Sequence, residues 1–174
     1  MAAREHKTVL REEAAALVKE SAGRAASRLS FYRFLYGVAP SSGLSGAPPH
    51  ALAEGFFAGT RIACVYEKEA RERPLAWQKL ACNLLVVAAE GLPRGGRILL
   101  CAKEGGPELE AFGEGAALSP EVEAALSLLL PPGELGARTV QAQFTGLLAA
   151  AIGYRPQLAE RSPDRFRLLS PALV

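Results

Sequence analysis

Cysteine, histidine and aromatic residues are scarce in this chain, and each shortage excludes something. Its 174 residues include 3 cysteines, 2 histidines and 1 tryptophan, and aromatics make up 7%. Cys64, Cys82 and Cys101 stand singly inside apolar runs without Cys-x-x-Cys spacing. They read as reduced core thiols, not as a disulfide framework or a metal site. No uncharged apolar stretch approaches the roughly 18 residues of a membrane span. The opening residues 1–7 carry no apolar segment of a secretory signal, so the expectation is a cytoplasmic protein with no membrane partner. Charge of one sign is lacking as well. A formal net charge of +2 gives no case for a nucleic-acid partner.

What is present is ordinary globular material, 49% hydrophobic and 22% charged, with Ala and Leu dominating the apolar fraction. The length suits one domain with a helical appendage, and a chain of this size needs no staple to bury a core.

Residues 8–36 contain no proline and a single glycine, Gly23. Leu10, Ala14, Leu17, Ser21, Ala25, Arg28, Tyr32 and Leu35 recur at three- and four-residue steps, which predicts one long helix with a stripe along a face. At about 1.5 Å per residue it would be roughly 40 Å long, more than the remaining chain can cover. A homodimer through this helix follows as an expectation. Residues 38–49, rich in Gly, Ser and Pro, read as a linker, which divides the chain into 1–37, 38–49 and 50–174.

Beyond the linker the pattern predicts a short helix over 49–57, a strand over 61–67 and a strong helix over 75–91. Strands follow at 97–103 and 108–112 across a Glu104-Gly105-Gly106 turn. Ser119-Pro120-Glu121 reads as the cap and first turn of a helix continuing to 130, where Pro131-Pro132 stops it. A last helix over 139–152 precedes strands at 154–159 and 165–169, paired across Ser162-Pro163-Asp164. Strands in hairpins with helices between them predict an α+β fold, an α/β sandwich with helices on one sheet face, not a doubly wound parallel sheet.

Several strings resemble the histidine-kinase-type ATPase fold. The run 80–90, beginning Leu80-Ala81-Cys82-Asn83-Leu84-Leu85, looks like the N-box helix, and Gly115, Ala117, Leu118, Ser119, Pro120 and Glu121 look like the kinase DxGxGI-P-E loop. More specifically, Leu29-Ser30-Phe31-Tyr32-Arg33-Phe34-Leu35-Tyr36-Gly37, Asn83-Leu84-Leu85 with the following Ala89-Glu90-Gly91-Leu92-Pro93-Arg94-Gly95-Gly96, and Arg138-Thr139-Val140-Gln141-Ala142 resemble the ChpT-like histidine phosphotransferases. The resemblance implies a homodimeric phosphorelay protein of bacterial two-component signalling, whose partners are response-regulator receiver domains and which works without nucleotide. It also implies a phospho-accepting histidine, followed by an acidic residue, on a helix before the one that opens this sequence.

Two departures from those patterns bear on chemistry. The ATPase fold needs a second N-box asparagine for Mg²⁺, an aspartate for adenine and a glycine-rich loop for phosphates. Those places hold Val87, Gly113 and the glycine-free 137–143. No cofactor is expected, and Asn83 reads as a structural hydrogen-bonder. Kinase activity is not expected either. The histidines are His6, between Glu5 and Lys7, and His50, after Pro49. Neither has the family context, so His6 is the nominal phosphoacceptor, weighed against a solvated terminal residue, and no catalytic residue is assigned. Arg24 and Arg28, one helical turn apart, are candidates for docking an acidic receiver, against the reading of a solvated face with partners such as Glu20. A phosphotransfer-dead scaffold that binds receivers, and a protein with some other small ligand, stay open as alternatives.

Overall fold

The computed structural model describes residues 2–37, 46–103 and 105–173, with side chains from Arg11 onward. Most of the expected linker, 38–45, lies outside the described residues.

Helix α1 spans Ala2–Tyr36, beginning six residues before the expected start at Thr8. Its side chains from Arg11 to Ala26 are all exposed. The helix reaches the core only in its last turns, through Phe31, Phe34 and Leu35. These pack with Leu52, Ala53 and Phe57 of α2 (Pro49–Phe57), and the Phe31 and Phe56 rings lie 4.6 Å apart. The expected stripe is therefore buried only at its end, through Leu35, while Leu17 points into solvent, as do Val18 and Leu29 beside it.

Strand β1 (Ile62–Tyr66) runs parallel to β2 (Gly96–Lys103), a pairing that requires a crossover. The short α3 (Lys68–Arg71), which the sequence pattern did not predict, and α4 (Leu75–Glu90) supply it. β2 turns into β3 (Gly106–Phe112), and β4 (Gln157–Ser162) into β5 (Arg165–Leu169), giving a mixed five-stranded sheet of order β1-β2-β3-β5-β4. Ile98, Leu100, Leu109, Ala111, Phe166 and Leu168 form its buried face. Against them lies α4, whose Leu80, Leu84, Leu85, Val87 and Ala88 are fully enclosed. At roughly 1.5–3 kcal/mol per buried aliphatic side chain, α4 is the centre of the core.

The other sheet face carries charge. Arg167 pairs with Glu108 and Glu160, and Arg165 with Glu110.

α5 (Pro120–Leu126) is capped by Ser119, whose hydroxyl accepts the Val122 N–H at 3.3 Å. It stops four residues before the expected end. Leu128 adopts φ 59°, and the N–H groups of Leu128 and Leu129 turn back to Ala125 and Ala124, closing a Schellman turn. The prolines do not end this helix; the turn does. It leaves Leu129 73% exposed. α6 (Val140–Ala151) then crosses close to α5, at Gly146, where a Cβ would meet the Leu126 carbonyl oxygen at 2.4 Å.

Candidate functional site

Three places could carry function: the shaft of α1, the junction where α1 meets α4 and α6, and a cleft beside the end of α4.

On the shaft, Arg24 pairs with Glu20 at 3.0 Å in an exposed i,i+4 contact worth a few tenths of a kcal/mol. Arg28 sits over the Phe56 ring, 6.0 Å from its centroid. The aliphatic part of Arg24 lies beside Gly59, just after α2. Both predicted docking arginines thus run down the side of α1 that faces α2, and both stay exposed. His6 falls within the span of α1, and its side chain lies outside the described residues. His50 is half-buried in the first turn of α2, its ring edge-on to Tyr66 at 6.2 Å.

At the junction, Asn83 is fully buried. Its amide donates to the Lys79 carbonyl at 2.8 Å, and its Oδ1 accepts from Gln141 Nε2 at 3.1 Å. Gln141 also donates to the Thr145 hydroxyl at 3.2 Å and accepts the Tyr36 hydroxyl hydrogen. The Lys79 ammonium donates to the Gly37 carbonyl. Asn83 is thereby the hydrogen-bonder expected of it. Tyr36 and Gln141 were missed as members of this network, although both stand in the strings singled out for their family likeness. Burial raises the Tyr36 pKa, with Tyr32 and Glu90 adding to it, and burial lowers that of Lys79.

The cleft, of about 420 Å³, is lined by Glu90, Ala117, Leu118, Ser119, Val122, Ala137 and Arg138. It lies between the end of α4, the start of α5 and the turn into α6. Desolvation raises the Glu90 pKa. Val87, in place of the second N-box asparagine, is enclosed in the core. Gly113, in place of the loop aspartate, donates to the Asp164 carbonyl at 2.9 Å. The Asp164 carboxylate accepts the Gly115 N–H at 2.7 Å, so the β4–β5 turn holds this loop by its backbone. Asp164 itself has φ 59°; the Ser162-Pro163-Asp164 turn was legible in the sequence, its grip on the 113–115 loop was not. The carboxamide of Asn83 faces α6, and among the described residues no group of three His, Cys, Asp or Glu side chains is placed to hold a metal ion. No helix among them is long and apolar enough to cross a membrane.

The thiols are free. Burial pushes those of Cys64 and Cys101 up to about 12, and that of Cys82 also upward, so none is a nucleophile at neutral pH.

The protein phosphotransferase ChpT of Brucella abortus (strain 2308) is 28% identical over 159 residues, covering 88% of this chain and 76% of that protein. A solved structure of a bacterial phosphotransferase superposes with a TM-score of 0.67 at 24% identity, covering 91% of this chain and 80% of that one, and shows the shared fold. Residues 48–162 match the histidine phosphotransferase C-terminal domain family. Since this match spans well over half of the sequence, the chain belongs to that family of ChpT-like histidine phosphotransferases.

Proposed function

We propose that this protein relays phosphoryl groups between response-regulator receiver domains in a bacterial phosphorelay, without binding ATP, and that it works in the cytoplasm as a homodimer. Family membership supports the phosphotransfer class. The single observation that carries the dimer is the shaft of α1, exposed on every side from Arg11 to Ala26 with Leu17 and Val18 in solvent. Leu17 and Val18 gain burial only if another helix packs on the shaft, and packing of this kind is what stabilises most helices. A second copy gives helix-on-helix packing, which makes residues 1–37 a dimerisation element joined by 38–49 to the α/β unit at 50–174. Arg24 and Arg28 remain exposed beside that packing and offer cations to the acidic phosphorylation pocket of a receiver.

The α/β unit resembles a histidine-kinase-like fold whose nucleotide-binding side chains are replaced. Val87 belongs to the core, Gly113 is held in backbone contacts and Asn83 is committed to Gln141. In the transfer, the bond between phosphorus and the receiver aspartate's oxygen breaks as a bond to an imidazole nitrogen forms. A second receiver aspartate then reverses the step. Such in-line geometry within about 3–3.5 Å needs a held acceptor ring.

One observation favours the alternative of a phosphotransfer-dead scaffold. Among the described side chains the histidine is His50, packed against Tyr66 away from the shaft. The two readings separate when the chain is incubated with a radiolabelled phospho-receiver. Label on the protein that is lost in His6→Ala makes His6 the relay residue. Receiver binding with no label transferred supports the scaffold, and neither binding nor label refutes both.

A further inference from the structure

The hydrogen bonds at the base of α1 form a closed circuit through three helices. Tyr36 of α1 donates to Gln141 of α6, Gln141 to Asn83 of α4, and Asn83 to the Lys79 carbonyl one turn earlier. Lys79 then returns to α1 by donating from its ammonium to the Gly37 carbonyl. Thr145 closes the interior side, accepting from Gln141 Nε2 and donating to the Gln141 carbonyl at 2.8 Å. Asn83, Gln141 and Thr145 are buried, so the bonds among these three are made where water does not compete, while those of Tyr36 and Lys79 lie at the partly exposed edge. The ammonium also meets the negative end of the helix dipole at the C-terminus of α1.

The mechanical setting explains what such a circuit is for. Phe31, Phe34 and Leu35 hold α1 to the core by apolar contact, which supplies adhesion but little direction. Everything from Arg11 to Ala26 projects beyond that contact. From Tyr36 to Arg11 is about 38 Å of helix, so a tilt of ~10° at the base moves the far end by roughly 6 Å. Hydrogen bonds are directional, and two attachments on different helices, Tyr36 to α6 and Gly37 to α4, resist both tilt and rotation.

We propose that Tyr36, Gln141, Asn83 and Lys79 are positioning residues, which fix the angle between the α1 shaft and the α/β unit so that a receiver seated on the shaft meets the α/β unit in one geometry. The positioning role rests on the receiver-docking reading; the circuit does not. The asparagine that the ATPase fold devotes to Mg²⁺ is here part of a joint.

The test uses the full chain in a Cys64→Ala background, with spin labels at Glu13→Cys and Gln157→Cys, diluted with unlabelled chain to suppress distances between subunits. Tyr36→Phe and Lys79→Met each open the circuit at its partly exposed edge and leave the buried Asn83–Gln141 pair in place. The double variant should broaden the label-to-label distance distribution by several ångströms, with little change in melting temperature. Isolated receiver domains from the source genome, titrated by calorimetry, should bind the double variant more weakly, by about fivefold per bond lost. Restoring Tyr36 alone should recover part of both effects. An unchanged distribution width overturns the circuit as a positioning device. A broadened width with unchanged receiver affinity overturns its role in docking. If no receiver binds even the native protein, the docking reading fails and the positioning role with it, while the widths still judge the circuit.

Discussion

Gly113 lies so close to Gly95 that a Cβ built on it would stand 2.3 Å from the Gly95 carbonyl oxygen. In the ATPase pattern this is the place of the adenine-reading aspartate. No side chain fits there, because the start of β2 and the end of β3 press together at that point. Gly113→Asp should therefore not restore nucleotide binding. It should cost about 3 kcal/mol of stability by overpacking, read in urea unfolding, and calorimetry with Mg-ATP should stay flat. Micromolar ATP binding by that variant would refute this account of the site.

Val87→Asn tests the same site from the helix side. Val87 is fully enclosed in the apolar core. Burying an unpaired carboxamide there should destabilise the protein by about 3 kcal/mol. A neutral effect would mean that the position reaches solvent.

The loop at Gly115 depends on a residue 49 positions away, the Asp164 carboxylate. Asp164→Ala should cost about 2 kcal/mol, combining the lost hydrogen bond with alanine's poorer tolerance of φ 59°, which aspartate adopts more readily. Asp164→Gly loses the same bond without the strain and should cost less. Equal costs for the two variants would show that the carboxylate alone matters.

The exposed shaft leads to a prediction about assembly. Leu17→Glu with Val18→Glu should convert the dimer to monomer in light scattering. Far-ultraviolet circular dichroism should show the α/β unit melting at nearly the same temperature, since neither residue touches the core, both being more than 60% exposed (65% and 69%). A native protein that is monomeric at high micromolar concentration would refute the dimer.

The thiols give stability a dependence on alkaline pH. Burial raises Cys64 and Cys101 from 9.0 to about 12. The folded state then keeps protons that the unfolded chain has released, so stability is full below about pH 9 and falls as pH rises from 9 towards 12. Cys64 contributes a slope of up to about 1.4 kcal/mol per pH unit in that window, and Cys101, closer to solvent, a smaller one. Urea midpoints between pH 7 and 11 check the sign. Alkylation by iodoacetamide at pH 8 should be slow in the folded protein and fast once it is unfolded.

Much of the architecture was legible because it is written in local chemistry. The pairing of periodic apolar residues with Pro, Gly and Ser boundaries located α2, α4, α6 and all five strands within a few residues, and the N-cap at Ser119 was read directly. The short strings around Asn83, Tyr36 and Gln141 were enough to indicate the family. Where local signals failed, a contact distant in sequence had intervened. α5 ends at Leu126 because of its Schellman turn and the close approach of Gly146, not because of Pro131. Leu17 and Val18 carry an amphipathic pattern with nothing in the chain to bury it, so periodicity alone promised a packed face that one copy does not have.

The sequence by itself determined most of the secondary structure and the residue types, valine at 87 and glycine at 113, that stand where the ATPase pattern has asparagine and aspartate, since each depends on residue type and near neighbours. Only the tertiary structure decided what surrounds them. That Gly113 has no room for a side chain, that Asp164 holds the loop, and that Asn83 joins Gln141 and Tyr36 in one circuit all depend on residues brought together from far along the chain. A hydrogen bond between α1, α4 and α6 leaves no mark in local propensity. It exists only once apolar burial has packed the three helices against one another.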